Sequence, residues 1–208
     1  IAMRRKIIIG IVCVLTIAMV GSFSWGISKT YEGEKVAKEI GQSMNESIQD
    51  LIEEENKVIS ENDSMGTVNG ERISKDYFNM RCQLYKTCGS NNPADDAWKE
   101  LKKEAAEREF AKDKGILPTE AEIVEYTKEQ RKIAESTEES YAIVKKLLDS
   151  VGMTEEYYWE IYKPKYESPI LLTRANINKY AEEHKIDTVE YKDIKATILD
   201  KNYYNSLE

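Results

Sequence analysis

Between Ile7 and Ile27 the chain carries no charged residue, and Arg4, Arg5 and Lys6 stand directly before that run. As a helix these 21 residues reach roughly 31 Å, about one hydrocarbon core. A basic cluster followed by an apolar run sends a chain to the membrane with its cationic end on the cytoplasmic side. The sequence therefore predicts that everything after Ile27 lies outside the cytoplasm. Two forms of the signal remain open. A cleaved signal peptide would use Ile7–Val20 as its apolar stretch, with Ser22 and Ser24 as small residues near the cut. An uncleaved anchor, a transmembrane helix over residues 7–27, would use the whole run. Trp25 and Ile27 favour the anchor, because they extend the run and Trp prefers the membrane interface. Cys13 sits in the middle of the run behind Ile11 and Val12, which is not the setting of a lipidated cysteine.

The residues beyond 27 are numerous enough for a domain with a real core. They carry 27 Lys and Arg against 38 Asp and Glu, a net charge of −11. That balance excludes nucleic acid as a partner and argues against docking on an anionic lipid surface. Cys82 and Cys88 are the cysteines outside the apolar run, and export permits a disulfide between them. Six residues along a continuous helix point to different faces, so such a bond requires the helix to end near Lys86. His184 is the one histidine of the chain. A His-rich metal site, a His-based triad and a Cys-His pair are thus poorly supported. No G-x-S-x-G, H-E-x-x-H or P-loop pattern occurs. The expectation is a protein that is not an enzyme and needs no cofactor or metal.

Hydrophobic periodicity predicts an all-α body with a small β element near 67–73. From about Lys29 to Glu61, the residues Val36, Ile40, Met44, Ile48, Leu51, Ile52, Val58 and Ile59 form one narrow stripe. This is a stalk (28–65), or a helix that lays its stripe on the body or on a second copy as a homodimer. The periodicity stops at 61–66. Asn69-Gly70 then marks a hairpin turn, and Ser74 caps a helix with Phe78, Cys82 and Tyr85 on one face. Asn92 and Pro93 open the next helix, whose buried side is Trp98, Leu101 and Ala105. Thr119 and Glu122 have capping-box spacing before a helix with Ile123, Tyr126 and Ile133 as its apolar face. Ser136 and Glu139 repeat that spacing before Val144, Leu147, Leu148 and Val151. Thr154 caps a further helix, with Met153 placed to staple onto Tyr158. Pro164 and Pro169 each remove a backbone donor, which predicts a kink or a break. In the tail, 186–208, alternation and helical spacing compete; helix is the expectation, packed on the domain at 66–185.

Three stretches, in this order, resemble the N-terminal chaperone module of the SurA/PrsA family of extracytoplasmic foldases. They are Val68-Asn69-Gly70-Glu71 with Ile73, Ser74 and Phe78; Ala111 and Gly115-Ile116 with Pro118-Thr119-Glu120-Ala121-Glu122-Ile123; and Gly152-Met153-Thr154-Glu155-Glu156-Tyr157-Tyr158-Trp159. The resemblance covers about Gly66 to His184. Family members that isomerise prolyl bonds carry a glycine-rich parvulin domain after this module, whereas Lys185–Glu208 is short and lacks glycine. The resemblance therefore implies weak, promiscuous holding of unfolded or partly folded exported proteins without proline isomerisation. The alternative is a non-catalytic envelope protein with one specific partner. For client contact the candidates are Met153, Tyr157, Tyr158, Trp159, Tyr162 and Tyr166, a short region rich in adaptable aromatic area. The same residues at the same spacing are equally those of an ordinary core.

Overall fold

The computed structural model describes residues 30–54 and 59–208. The signal or anchor at 1–27 and the stripe residue Val58 lie outside the described residues. The described residues are mostly helical, 70 % helix, with one small three-stranded sheet among them, so the mainly α expectation and the β element near 67–73 both hold. Among the described residues no helix is long and apolar enough to cross a membrane.

The order is α1 (Thr30–Glu54), β1 (Ser64–Val68), β2 (Glu71–Ser74), α2 (Lys75–Thr87), α3 (Pro93–Asp113), α4 (Glu120–Ala134), α5 (Glu138–Val151) and α6 (Glu155–Tyr157). A π-helix, π1 (Tyr158–Glu167), leads without a gap into α7 (Ser168–His184); β3 (Ala196–Ile198) and α8 (Lys201–Ser206) follow. Two compact units emerge: one from residues up to Glu46 with Pro118–Leu172, the other from Ser47–Leu117 with Thr173–Glu208. This grouping runs across the ranges 28–65, 66–185 and 186–208 read from the sequence. Of the expected stripe Ile40, Met44, Ile48 and Leu51 are buried, together with Ala37, while Val36 and Ile52 are half-buried.

In the first unit α1 approaches α5 closely enough that a side chain at Gly41 has no room. A Cβ there would stand 2.4 Å from the Cβ of Ser150 and 3.0 Å from the carbonyl oxygen of Leu147. Asn45 Nδ2 donates to the Ser150 carbonyl at 3.3 Å across the same contact. The α5 cap is Thr137, whose hydroxyl accepts from Ser140 N, and not Ser136. Ser136 Oγ instead donates back to Ile133 O at 2.7 Å. Gly152 ends α5 with φ 68°, and the Met153 N–H closes onto Leu148 O at 2.9 Å, a Schellman-type stop. The expected capping box is present in full at α4: Thr119 accepts from Glu122 N while Glu122 accepts from Thr119 N.

The second unit is built on the sheet, in the order β2-β1-β3 with both pairs antiparallel. Asn69 and Gly70, at φ 52° and 83°, make the turn between β1 and β2, as Asn-Gly predicts. Met65, Phe78, Cys82, Ala97, Trp98 and Tyr204 form the core beneath. Phe78 meets Trp98 edge-on at 5.9 Å and stacks on Tyr204 at 5.7 Å. The tail thus contributes a strand and a short helix, where helix alone was expected. Val68, Thr67 and Gly66 of β1 supply an open edge that pairs with Ala196, Thr197 and Ile198, and this long-range partner decides between the two periodicities. Asn92 sits at the start of α3 but makes no side-chain cap bond. No disulfide joins Cys82 and Cys88. Helix α2 continues through Thr87, so the two point apart, and burial pushes the Cys82 thiol up to about 12.

The capping box yields a test. Thr119→Ala should cost about 0.5–2 kcal/mol in urea unfolding, the usual loss for such a cap. Hydrogen bonds from Thr119 hold the Glu122 carboxyl below its ordinary value. Its contribution is therefore present above the ordinary glutamate range and fades as pH falls through the lowered value. The wild-type chain should lose that contribution on acidification, whereas Glu122→Ala, which removes the carboxyl that accepts from both Thr119 N and Thr119 Oγ1, should not; an identical pH profile in Glu122→Ala would show that the box adds nothing.

Candidate functional site: the cleft between helix α4 and the π-helix

Pro164 decides the local winding in the first unit. It has no N–H, and in an α-helix its ring would press on the carbonyl four residues back. The chain answers by widening its turn: the Ser168 N–H reaches back five residues to Lys163 O. The expected break at Pro164 and Pro169 is thus replaced by ten residues of π-helix, although π-winding is usually confined to single turns. Pro169 falls in the first turn of α7, where a missing donor is tolerated.

The winding turns Tyr158, Trp159, Tyr162, Lys163 and Glu167 inward. Lys163 Nζ lies 2.8 Å from Glu167 Oε2, with side chains 1 % and 7 % exposed. Tyr158 donates its hydroxyl proton to the same carboxylate oxygen at 3.2 Å. The ammonium also stands 5.5 Å above the Tyr158 ring and 5.7 Å above Trp159, so the aromatic faces replace part of its lost hydration. Burial first, and then the Glu167 charge, push the Tyr158 phenol well above its ordinary value. It stays a neutral donor within a closed network.

Helix α4 packs on this element with an unexpected face. The buried residues are Thr127, Gln130 and Ala134; Ile133 is exposed, and Ile123 and Tyr126 are half-buried. The expected apolar face Ile123, Tyr126 and Ile133 is therefore corrected. The physical reason is polar pairing: Thr127 Oγ1 lies 2.6 Å from Ser168 Oγ in the interior. Gln130 Oε1, equally buried, has no hydrogen-bond partner.

Between α4 and π1 a cleft of about 50 Å³ opens, lined by Val124, Thr127, Lys128 and Arg131 on one side and Trp159, Glu160 and Pro164 on the other. Its lining is part apolar and part charged. Arg131 donates Nε–H to Glu135 at 2.7 Å and places Nη1 3.6 Å from Glu160; the bond to Glu135 raises the guanidinium further above its ordinary value. Val124 and Ile161 are 44 % and 43 % exposed.

The six residues expected to contact a client fare differently. Met153, Tyr158, Trp159 and Tyr162 are buried, while Tyr157 and Tyr166 are half-buried. The rings of Tyr158, Trp159, Tyr162 and Tyr166 do come together, with neighbouring centroids 4.8–6.0 Å apart, the first three as core and Tyr166 at its edge. Trp159 alone among the six reaches the cleft. Val124, Lys128, Arg131 and Pro164 were missed as site residues. Pro164 was visible as an anomaly, with its consequence read as a kink or a break and not as π-winding. Among the described residues no group of three or more His, Cys, Asp or Glu is placed to hold a metal. Comparison with family models, curated proteins and solved structures finds no match.

The buried pair makes a sharp prediction. Lys163→Met leaves the Glu167 carboxylate inside without its cation and should cost about 3–5 kcal/mol. Adding Glu167→Leu removes the stranded charge and should recover most of that loss in the same denaturant titration. Equal instability of the single and double variants would mean that packing, and not charge, carries the effect.

Proposed function

We propose that this chain is an extracytoplasmic, chaperone-like protein whose body holds unfolded exported polypeptides without isomerising proline. The observation that carries the reading is the α4–π1 cleft. Its lining combines the apolar Val124, Trp159 and Pro164 with the charged Lys128, Arg131 and Glu160. The volume suits one side chain and not a cofactor or metabolite, for which pockets run to several hundred Å³. A shallow apolar notch accepts many residues weakly, because the transfer of apolar area from water is non-directional. The charged side chains add little affinity, since Arg131 is already engaged by Glu135 and Glu160; they keep the patch solvated. The ordered likeness to the SurA/PrsA chaperone module agrees with this reading, and so does the acidic body, which suits exported, soluble surroundings.

The location belongs to the same proposal and rests on Arg4, Arg5 and Lys6 before the uncharged run to Ile27. Protease added to intact spheroplasts should digest the body. Protection until lysis would place the body inside and remove exported chains as its clients.

For the holding activity, the body in molar excess should slow light scattering by several unrelated denatured clients. Val124→Glu puts a charge into the apolar part of the cleft lining and should weaken client binding by roughly 1 kcal/mol or more, the loss typical of a central contact. A prolyl-peptide assay should show no rate above background. Unchanged scattering with every client would sink the holdase in favour of an envelope protein with one specific partner.

A further inference from the structure

In the second unit an aromatic surface is covered by the chain itself. Residues 186–195, between α7 and β3, form neither helix nor strand. Both ends are tied down: Ile186 N donates to Ala181 O at 2.9 Å, and Asn69 N donates to Lys195 O at 2.8 Å. Two side chains hold the middle of this strap. Tyr191 meets Phe110 edge-on with centroids 5.8 Å apart, and Lys192 pairs with Asp113.

Beneath lies an aromatic platform made by the end of α3 and by α7. Phe110 packs edge-on against Tyr180 at 5.9 Å, and His184 stacks on Tyr180 at 4.0 Å. Lys114 Nζ stands 5.6 Å from the Phe110 ring centre. Ile194 anchors the end of the strap on the core of the unit, but around Tyr191 and Lys192 the grip is light. Tyr191 is 38 % exposed, and Lys192 and Asp113 are 71 % and 43 % exposed, the setting in which ion pairs contribute least. Segments held by few, exposed contacts open locally well before a fold opens as a whole.

We propose that residues 186–195 are a displaceable cover over a peptide-binding surface on α3 and α7. The occupant is an extended segment in which an aromatic residue is followed by a cation, the chemistry that Tyr191 and Lys192 already present to Phe110 and Asp113. An incoming segment of this kind repeats the ring contact and the ion pair, so it competes with the strap for the same groups. While the strap is down, apparent affinity is reduced by the fraction of chains that are open. This surface uses none of the residues of the α4–π1 cleft and stands whether or not that cleft holds clients.

The test uses the full chain and a fluorescent peptide, Ile-Asp-Thr-Val-Glu-Tyr-Lys-Asp-Ile-Lys, copied from residues 186–195. Fluorescence anisotropy should show weak binding to the wild type. Tyr191→Ala with Lys192→Ala in the chain should tighten it by about tenfold, because the internal competitor is gone. Asp113→Asn should weaken binding severalfold in that background, and Phe110→Ala should remove it. A control peptide with Ala for the tyrosine and Glu for the lysine after it should not bind. Equal affinity of wild type and strap variant overturns the proposal. So does binding that ignores Asp113→Asn, or a control peptide that binds as well.

Discussion

Buried charge, paired within each unit, is the constraint on which the rest of the structure depends. With 33 % of its residues charged, the chain cannot make every helix face apolar. Charges that enter the interior must bring partners, since an unpaired one costs several kcal/mol. In the first unit Lys163 and Glu167 solve this within π1. In the second unit α3 turns Glu100, Glu104 and Glu107 toward two arginines. Arg81 of α2 grips Glu104 with contacts of 2.6 and 3.3 Å. Arg174 of α7 reaches Glu100 at 2.5 Å and Glu107 at 2.7 Å. These pairs fix helix rotation more strictly than an apolar face does, because a guanidinium fork accepts few orientations of a carboxylate.

How much of this was legible in the sequence follows from the range of the interaction that decides each feature. Ser74, the Thr119–Glu122 box, the Thr154 cap and the Asn69-Gly70 turn are closed by partners within three residues, so spacing alone locates them. The α5 cap shows the limit of the same logic: Ser136 and Thr137 are neighbours with equally suitable hydroxyls, and the helix chose the second. Features set by distant partners were not legible. The β3 strand exists because β1 has an open edge for it, more than 120 residues earlier in the chain. The buried face of α4 depends on Ser168, 41 residues from Thr127, and no periodicity of α4 contains that information. Pro164 lies between the two cases, since its missing donor was plain but the π-winding that accommodates it requires the buried Lys163 and Glu167.

The same pairing explains why the most aromatic stretch is interior while moderately apolar residues remain outside. An ammonium with 1 % of its side chain exposed needs more than one carboxylate oxygen to replace water. The faces of Tyr158 and Trp159 supply the remainder, which holds both rings in the interior; of the two, Trp159 also lines the α4–π1 cleft. The aromatic surplus of residues 157–166 is therefore the cost of a charged core. Surface apolarity is left to positions without such a duty: Val124, Ile133 and Ile161 in the first unit, and the Phe110–Tyr180 platform in the second. The principle extends to any helical chain this rich in charge. An aromatic cluster whose sequence also contains a lysine and a glutamate four residues apart is better assigned to the interior, and the binding surface sought among the aliphatic and isolated aromatic residues beside it.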